Sequence, residues 1–443
     1  MWRLVGILIL LILLQHTHTS KVYHNLLDKL NKMTINSSGP ISLAGPITGQ
    51  SIEEELNIQG YYASNGVVQI SLNDSYVRTL SSISGGPLSF SNFYGKSAVL
   101  PFNGFNTPGT IPGATSQPTK LYAVTYGNGT YVCVGYAPDA VTYAAAATYS
   151  TDGSTWSTVA NMNGATDNAG QMFAVTYGNS KFVAVGQIGS NYSYATSTDG
   201  ITWSTPGILY SSGVFGVMNG VAWSPTLGLF VAVGQNGSNL SSYSTSPDGV
   251  TWSAPATFGG SALSAFFYSV TWSSALNLFV AVGATNASNG VPVAAYSSNG
   301  TTWSVPALMN GFNTTPFQIK MQGVAINNTG LCISVGSRLA GGLGYYSTST
   351  DGINWTTPTT LAALNGGTNF IAVNGANVFV ATTGSGWTTT TTGSSWTAVT
   401  AFGSGVGGVY GITSNPSGRF VAAGGGGTVQ PAPNYGLFYA VSN

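Results

Sequence analysis

A pentapeptide of the form Phe-Val-Ala-Val-Gly recurs seven times, and that recurrence limits the fold more than any other feature. The copies stand at Tyr131–Gly135, Phe182–Gly186, Phe230–Gly234, Phe279–Gly283, Cys332–Gly336, Phe379–Thr383 and Phe420–Gly424. Their first residues are 51, 48, 49, 53, 47 and 41 positions apart. A period of this length is the mark of a repeat architecture, in which each unit buries its apolar face only against its neighbours.

Each unit reads as four short strands. In the second unit, strand A is "FAVTYGN" (Phe173–Asn179) and strand B is "KFVAVGQ" (Lys181–Gln187). A polar loop leads to strand C, "YSYATST" (Tyr192–Thr198), and an Asp-Gly turn leads to strand D from Trp203. β-Branched and aromatic residues fill the strands, while Gly, Asn, Asp and Ser punctuate them. Four strands per unit is the cue for a β-propeller blade. The expected fold is therefore an all-β, seven-bladed β-propeller over residues 97–443. The last unit ends in "LFYAVSN", so Asn443 is expected at the place of the turn acid, leaving blade seven without a strand D. The segment "SAVLPFNGFNTP" (Ser97–Pro108) resembles "SVPALMNGFNTTP" (Ser304–Pro316), which follows a strand-D tryptophan. That likeness predicts Ala98–Pro101 as the strand that closes the ring.

The turn itself repeats. "STDGITW" (Ser197–Trp203) has near-copies at Ser150–Trp156, Ser246–Trp252, Ser297–Trp303 and Ser349–Trp355, and a worn one at Thr390–Trp396. Asp152, Asp199, Asp248 and Asp351 are expected to accept bonds from nearby backbone N–H groups, and the glycine to take positive φ. Trp156, Trp203, Trp252, Trp303, Trp355 and Trp396 are expected to wedge between neighbouring sheets. Tyr194 and Trp387 share a strand-C position with Tyr243 and Tyr346, which predicts packing. The copies resemble the Asp-box of sialidase-like propellers, Ser-x-Asp-x-Gly-x-x-Trp, with one residue fewer between Asp and Gly. That resemblance implies a propeller. It does not carry the catalytic set over. Sialidases use an arginine triad with a Tyr/Glu pair. From Leu121 onward this chain has no glutamate, no histidine and only Arg338 and Arg419 as arginines. Asn299 and Thr392 also replace the turn acid, as a structural turn tolerates and a catalytic carboxylate does not. Asp139 and Asp167 are the one carboxylate pair left for a glycosidase. The expectation is a non-enzymatic chain with no catalytic residue, metal set or cofactor.

The A–B and C–D turns must share one face of the disc, and the longer B–C and D–A loops the other. On that second face the candidate ligand residues are Tyr136, Asp139, Asp167, Gln187, Asn191, Gln235, Asn239, Arg338 and Gln430. Loops on a rigid scaffold are where binding resides. Tyr, Asn and Gln suit hydroxyl-rich ligands such as glycans. Only 5% of residues are charged and the formal net charge is zero. Nucleic acid, whose phosphates demand clustered cations, is therefore excluded as a partner. An apolar fraction of 43% points to a packed domain and away from disorder. Cys133 and Cys332 lie in apolar strands of different units and are expected as buried free thiols. Triplets such as Asn128–Thr130 and Asn236–Ser238 fit the glycosylation pattern of secreted proteins.

The region before the repeats is different. Residues 1–32 hold Arg3 and an apolar run from Leu4 to Leu14, which reads as a signal-peptide core or as an upstream extension. "MTINSSGPISLAGPITGQSIEEELNIQG" starts at Met33, and "VQISLNDSYVRTLSSISGGPLSFSNFYGKS" ends at Ser97. Ser51 and Glu54 make a capping box for a short helix through Leu56, and Asp74 starts a second helical turn. Residues 33–96 resemble a small mixed N-terminal module of virion and tail-fibre-type proteins of tailed bacteriophages. The resemblance implies that Met33 starts the protein and that the module serves attachment to other virion or tail proteins. It also implies that the propeller is displayed for a host-surface receptor, such as a glycan. A start at Met1 instead implies a secreted carbohydrate-binding propeller with a cleaved signal.

Overall fold

The structure is a computed structural model. It describes residues 102–442, except 113–118, 139–142, 164–169, 211–215, 239, 261–263, 286–289, 311–317, 339–341, 366–369, 384–385, 403–407 and 430–433. The signal-like run, the phage-type module with its capping box, and Ala98–Pro101 lie outside the described residues.

Seven four-stranded antiparallel sheets follow one another around a ring. Blade one comprises Lys120–Gly127, Thr130–Pro138, Tyr143–Ser150 and Ala160–Asn161. Blade two comprises Gln171–Gly178, Lys181–Ile188, Asn191–Ser197 and Gly207–Tyr210. Blades three to six repeat this plan from Gly216, Ala265, Ile319 and Phe370. Strand B is buried on both sides, so it reads as a continuous apolar run, and Phe182, Val183, Ala184 and Val185 are fully buried. Burying one such phenylalanine contributes about 1.5–3 kcal/mol.

Seven apolar clusters hold the ring, one per junction. Val132 and Val134 of blade one pack with Phe182, Ala184 and Trp203 of blade two. The last cluster joins Tyr131 and Trp156 of blade one to Val421 and Leu437 of blade seven, so the ring is closed by core packing. Cys133 and Cys332 are buried free thiols.

Blade seven carries Val409–Ser414, Phe420–Val429 and Asn434–Val441, and its outer strand comes from upstream, as expected. The strand is not where the Asn-Gly-Phe-Asn-Thr likeness put it. Gly109–Thr110 pairs with Tyr439 and Phe438. The register explains the shift. Asn106 N–H donates to Val441 O at 2.8 Å, as Ser304 N–H donates to Tyr296 O at 2.9 Å beside Trp303. Ile111 N–H donates to Leu437 O as Met309 N–H donates to Pro292 O, both at 3.0 Å. Phe105 thus stands at the tryptophan position, and Gly109–Thr110 matches strand Ala307–Leu308 of blade four.

Phe102 and Phe105 together replace the indole wedge. Trp303 contacts Tyr243, Phe258 and Phe279, with ring centroids 5.9, 4.8 and 6.4 Å away. Phe105 meets Trp387 at 5.6 Å and Phe402 at 5.2 Å, and Phe102 meets Phe420 at 5.4 Å. One indole has become two phenyl rings. At the last turn Val441 pairs with Val421, which makes Ser442 the equivalent of the turn serine, and Asn443 lies outside the described residues.

Candidate functional site

The Asp-Gly turns come first, because their geometry decides whether they are chemical or structural. In blade three, Ser246 Oγ donates to Asp248 Oδ1 at 3.0 Å, and Gly249 N–H donates to Ser246 Oγ at 2.8 Å. Val250 and Thr251 N–H groups both reach Asp248 Oδ1, at 2.8 and 2.7 Å, and the Thr251 hydroxyl donates to Oδ2. Asp152, Asp199 and Asp351 are held the same way. Asn299 reproduces the Oδ1 contacts, to Thr301 and Thr302 N–H. The turn glycine has φ +78° in blade two, and a Cβ there would sit 2.5 Å from Val132 Cγ2 of blade one. The six turn tryptophans lie in or against the apolar clusters between neighbouring blades. Trp156, Trp252 and Trp303 donate Nε1–H to the turn glycine's carbonyl, while Trp203, Trp355 and Trp396 have a buried Nε1 without a partner. Tyr194, Tyr243, Tyr346 and Trp387 each pack on the next blade's wedge residue.

The Thr251 N–H bond, countered by partial burial and reinforced by Val250 N–H and the Ser246 hydroxyl, holds the Asp248 carboxyl at about 2. Its folded pKa lies below the ordinary 3.8, so the turn's stabilisation is present above about pH 4 and fades as pH falls toward 2. Asp248→Asn should cost under about 1 kcal/mol at neutral pH, because Asn299 already shows the amide in this role. Asp248→Ala should cost about 1–2 kcal/mol. Thermal melts at pH 7 and about pH 3 check both, and the asparagine variant should show a smaller acid-induced loss than the native chain.

All four described carboxylates lie on the turn face. Arg419 Nη1, from the A–B turn of blade seven, donates to Asp152 O, and Asn179 of another A–B turn donates to Pro247 O. The opposite face holds Lys120, Lys320 and Arg338 among the described residues.

Among the described residues, that opposite face is organised by a β-bulge in strand A of six blades. The register slips at Tyr122, Phe173, Asn219, Tyr268, Gln322 and Tyr410. The glycine that ends each Phe-Val-Ala-Val-Gly copy lies opposite. A Cβ on Gly135, Gly186, Gly234, Gly283, Gly336 or Gly424 would run into a backbone carbonyl of the bulged strand. The glycine is therefore the partner of the bulge. An extra residue per strand re-aims its side chain, and bulges occur preferentially beside functional sites.

The six bulge residues occupy equivalent positions near the start of strand A, the strand that packs on strand A of each neighbouring blade, so they stand around one end of the ring axis, termed the channel mouth. Tyr122 lies between Phe173 at 5.1 Å and Tyr410 at 6.0 Å, so blades seven, one and two share an aromatic arc. Tyr122 hydroxyl donates to Gln171 Oε1 at 3.3 Å. Lys120 Nζ lies 5.9 Å from the Tyr410 ring centre, and Lys320 Nζ lies 5.7 Å from that of Tyr268. The two lysines occupy the same strand-A position, and each covers the bulge tyrosine of the preceding blade. Burial first, then repulsion from Tyr136 and Tyr410, pushes the Tyr122 phenol well above its ordinary range. Burial pushes Tyr268 up to about 12. Both are neutral hydroxyls at physiological pH.

The sequence-derived ligand residues separate into groups. Tyr136, Gln187, Gln235 and Arg338 are not loop residues, because the hairpins extend further than expected. They pair with Lys120, Gln171, Val217 and Ile319 at the mouth end of strand B. Tyr136 is buried and lies 5.8 Å from Tyr122. Gln187 closes its own hairpin through Gly189 O, and Asn191 pairs with Ile188. Arg338 Nε is buried without a partner. Asp139, Asp167, Asn239 and Gln430 lie outside the described residues. The bulge aromatics Tyr122, Phe173, Tyr268 and Tyr410 were not among the candidates. Their signal is a bulky residue followed by a small one early in strand A, as in Tyr122-Ala123, Phe173-Ala174, Tyr268-Ser269 and Tyr410-Gly411.

No family model and no curated protein matches the chain. Solved structures do. The Pan2 WD40 domain of Neurospora crassa is 9% identical with a TM-score of 0.51, covering 78% of this chain and 97% of its own. The BP39L lectin from Burkholderia pseudomallei is 11% identical with a TM-score of 0.51, over 71% of this chain and 98% of the lectin. A Hadza microbial sialidase is 12% identical with a TM-score of 0.45, over 76% of this chain and 68% of the sialidase. At such identities the likeness to the Pan2 domain and to the lectin is one of fold, the β-propeller.

Proposed function

We propose that the chain is a non-enzymatic recognition protein of the tailed-phage type. In this reading it works in the virion tail, the N-terminal module joins it to other tail proteins, and the propeller presents its channel mouth to a host-surface receptor, in the first instance a glycan. The observation that carries it is the aromatic arc of Tyr410, Tyr122 and Phe173, beside Lys120 and Gln171. Ring faces with neighbouring polar hydrogen-bonding groups suit the apolar faces and hydroxyls of sugars. Each described carboxylate is engaged by its own turn, which supports binding over hydrolysis.

The test is a glycan array with the full chain, followed by product analysis of every hit. Binding without cleavage is expected, with Tyr122→Ala weakening it roughly tenfold, since stacked aromatic contacts are worth about 1 kcal/mol or more. Released sugar would move the chain to the glycosidase reading. Equal binding by the variant would move the site away from the mouth.

A further inference from the structure

We infer that the mouth takes an anionic oligosaccharide, one bearing a carboxylate or a sulfate, with its charge at a cationic subsite between blades four and five. The subsite rests on the channel-mouth reading and adds the ligand's charge to it. Lys320 and Arg338 build it. Lys320 pairs with Ser337, so it stands diagonally beside Arg338 at the mouth end of blade five. Lys320 Nζ reaches toward blade four, to 5.7 Å from the Tyr268 ring centre. Arg338 pairs with Ile319, which belongs to the apolar cluster that blade five shares with blade four. Directly opposed residues of two strands share one face of a sheet, so Arg338 stands on the side to which the Lys320 ammonium reaches. Ile319 N–H donates to Gly290 O at 3.0 Å and ties the two blades together at this end.

The protein supplies no counter-charge here. From Gly249 to Asn443 the chain has one acidic residue, Asp351, and that residue sits in a turn of the opposite face. Asp351 follows Ser349, which pairs with Cys332, itself the partner of Ile326. Ile326 ends the strand that Lys320 nearly begins, a separation of about 20 Å at about 3.3 Å per residue. Salt screens charges beyond about 8 Å, so Asp351 does not reach the pair. The two other acids outside the turns, Asp139 and Asp167, belong by sequence to blade one and its link to blade two. Burial keeps the Tyr268 phenol neutral, so the ring under Lys320 adds no negative charge either. Like charges on neighbouring sheet positions cost stability, and an anion that arrives with a ligand relieves that cost. Arg338 is charged at any pH, and the Lys320 ammonium can donate charge-assisted hydrogen bonds to a carboxylate or a sulfate. Blades four and five lie across the ring from the aromatic arc of blades seven, one and two, which is why the ligand is an oligosaccharide and not a single sugar.

The full chain is titrated by calorimetry with trigalacturonate and its neutral methyl ester, and with sulfated and unsulfated cellotriose, at low and at high salt. At least one acidic probe should bind roughly tenfold more tightly than its neutral counterpart, with the advantage shrinking at high salt. Which acidic probe binds tells carboxylate from sulfate. Lys320→Met leaves an unbranched side chain on Tyr268 and should abolish the advantage, while Lys320→Arg should retain it. Lys181→Met, at an A–B turn of the opposite face, should change nothing. The comparison of acidic with neutral probes needs no variant, so it stands even if Lys320→Met fails to fold. Equal binding of acidic and neutral probes overturns the subsite and leaves the glycan-binding mouth intact. An acid preference that survives in Lys320→Met overturns it as well. Binding by none of the probes also overturns the subsite, and the glycan array then decides separately on the mouth.

Discussion

Deleting residues 97–111 should lower the melting temperature by roughly 10 °C. The segment supplies Phe102, Phe105, the Gly109–Thr110 strand and the buried Ile111. Losing three apolar anchors at about 2–3 kcal/mol each removes about 7 kcal/mol. A unit of this size has an unfolding entropy near 0.7 kcal/mol per degree. The deletion also bares the edge of strand Asn434–Val441, so the variant should aggregate on heating. A sharper experiment separates wedge from strand. Phe105→Trp alone should destabilise, because Phe102 already fills the space against Phe420 that an indole needs. Phe102→Ala alone should destabilise by leaving a hole. The double variant should regain most of both losses, because it rebuilds the single-tryptophan wedge of the other blades. Additive losses in the double-mutant cycle would show that Phe102 and Phe105 do not share one site.

Blade number and blade order were legible because strand B is buried on both faces and can vary little. The turn was legible because Asp-Gly-x-x-Trp encodes a local hairpin, and its bonds run only among neighbours. Ring closure was legible in principle and misplaced in detail. A match of Asn, Gly, Phe and Thr compares residue types, whereas the register is set by which ring enters the wedge, and Phe105 enters it. The channel mouth was missed for a related reason. A bulge is a disagreement in count between two strands, so neither strand shows it alone. The glycine in the repeat motif was plainly visible, yet its meaning lay across the sheet in a carbonyl of strand A. Tyr122 and Tyr410 read as ordinary strand aromatics until the slip brings them beside one another.

That coupling of glycine to bulge predicts the second large effect. Gly186→Ala should cost about 3 kcal/mol or more, a fall of roughly 4 °C or more, because its Cβ meets the Gln171 carbonyl oxygen and the Met172 backbone, which cannot rotate away. Gly189→Ala is the control. Gly189 has positive φ, at 55°, but nothing lies within 4 Å of its added Cβ, so about 1 kcal/mol is expected. The Gly186 variant can relieve the clash only by removing the bulge at Phe173. A one-residue change in register turns side chains to the other face of the sheet, which separates Phe173 from Tyr122. In blade six Thr383 stands in place of the glycine, and its N–H donates to Gly386 O. Glycan binding at the mouth should therefore fall in Gly186→Ala by more than its modest loss of stability explains, measured well below its melting temperature. If binding survives while the melting temperature drops, the glycine serves the sheet alone and the bulge does not shape the mouth.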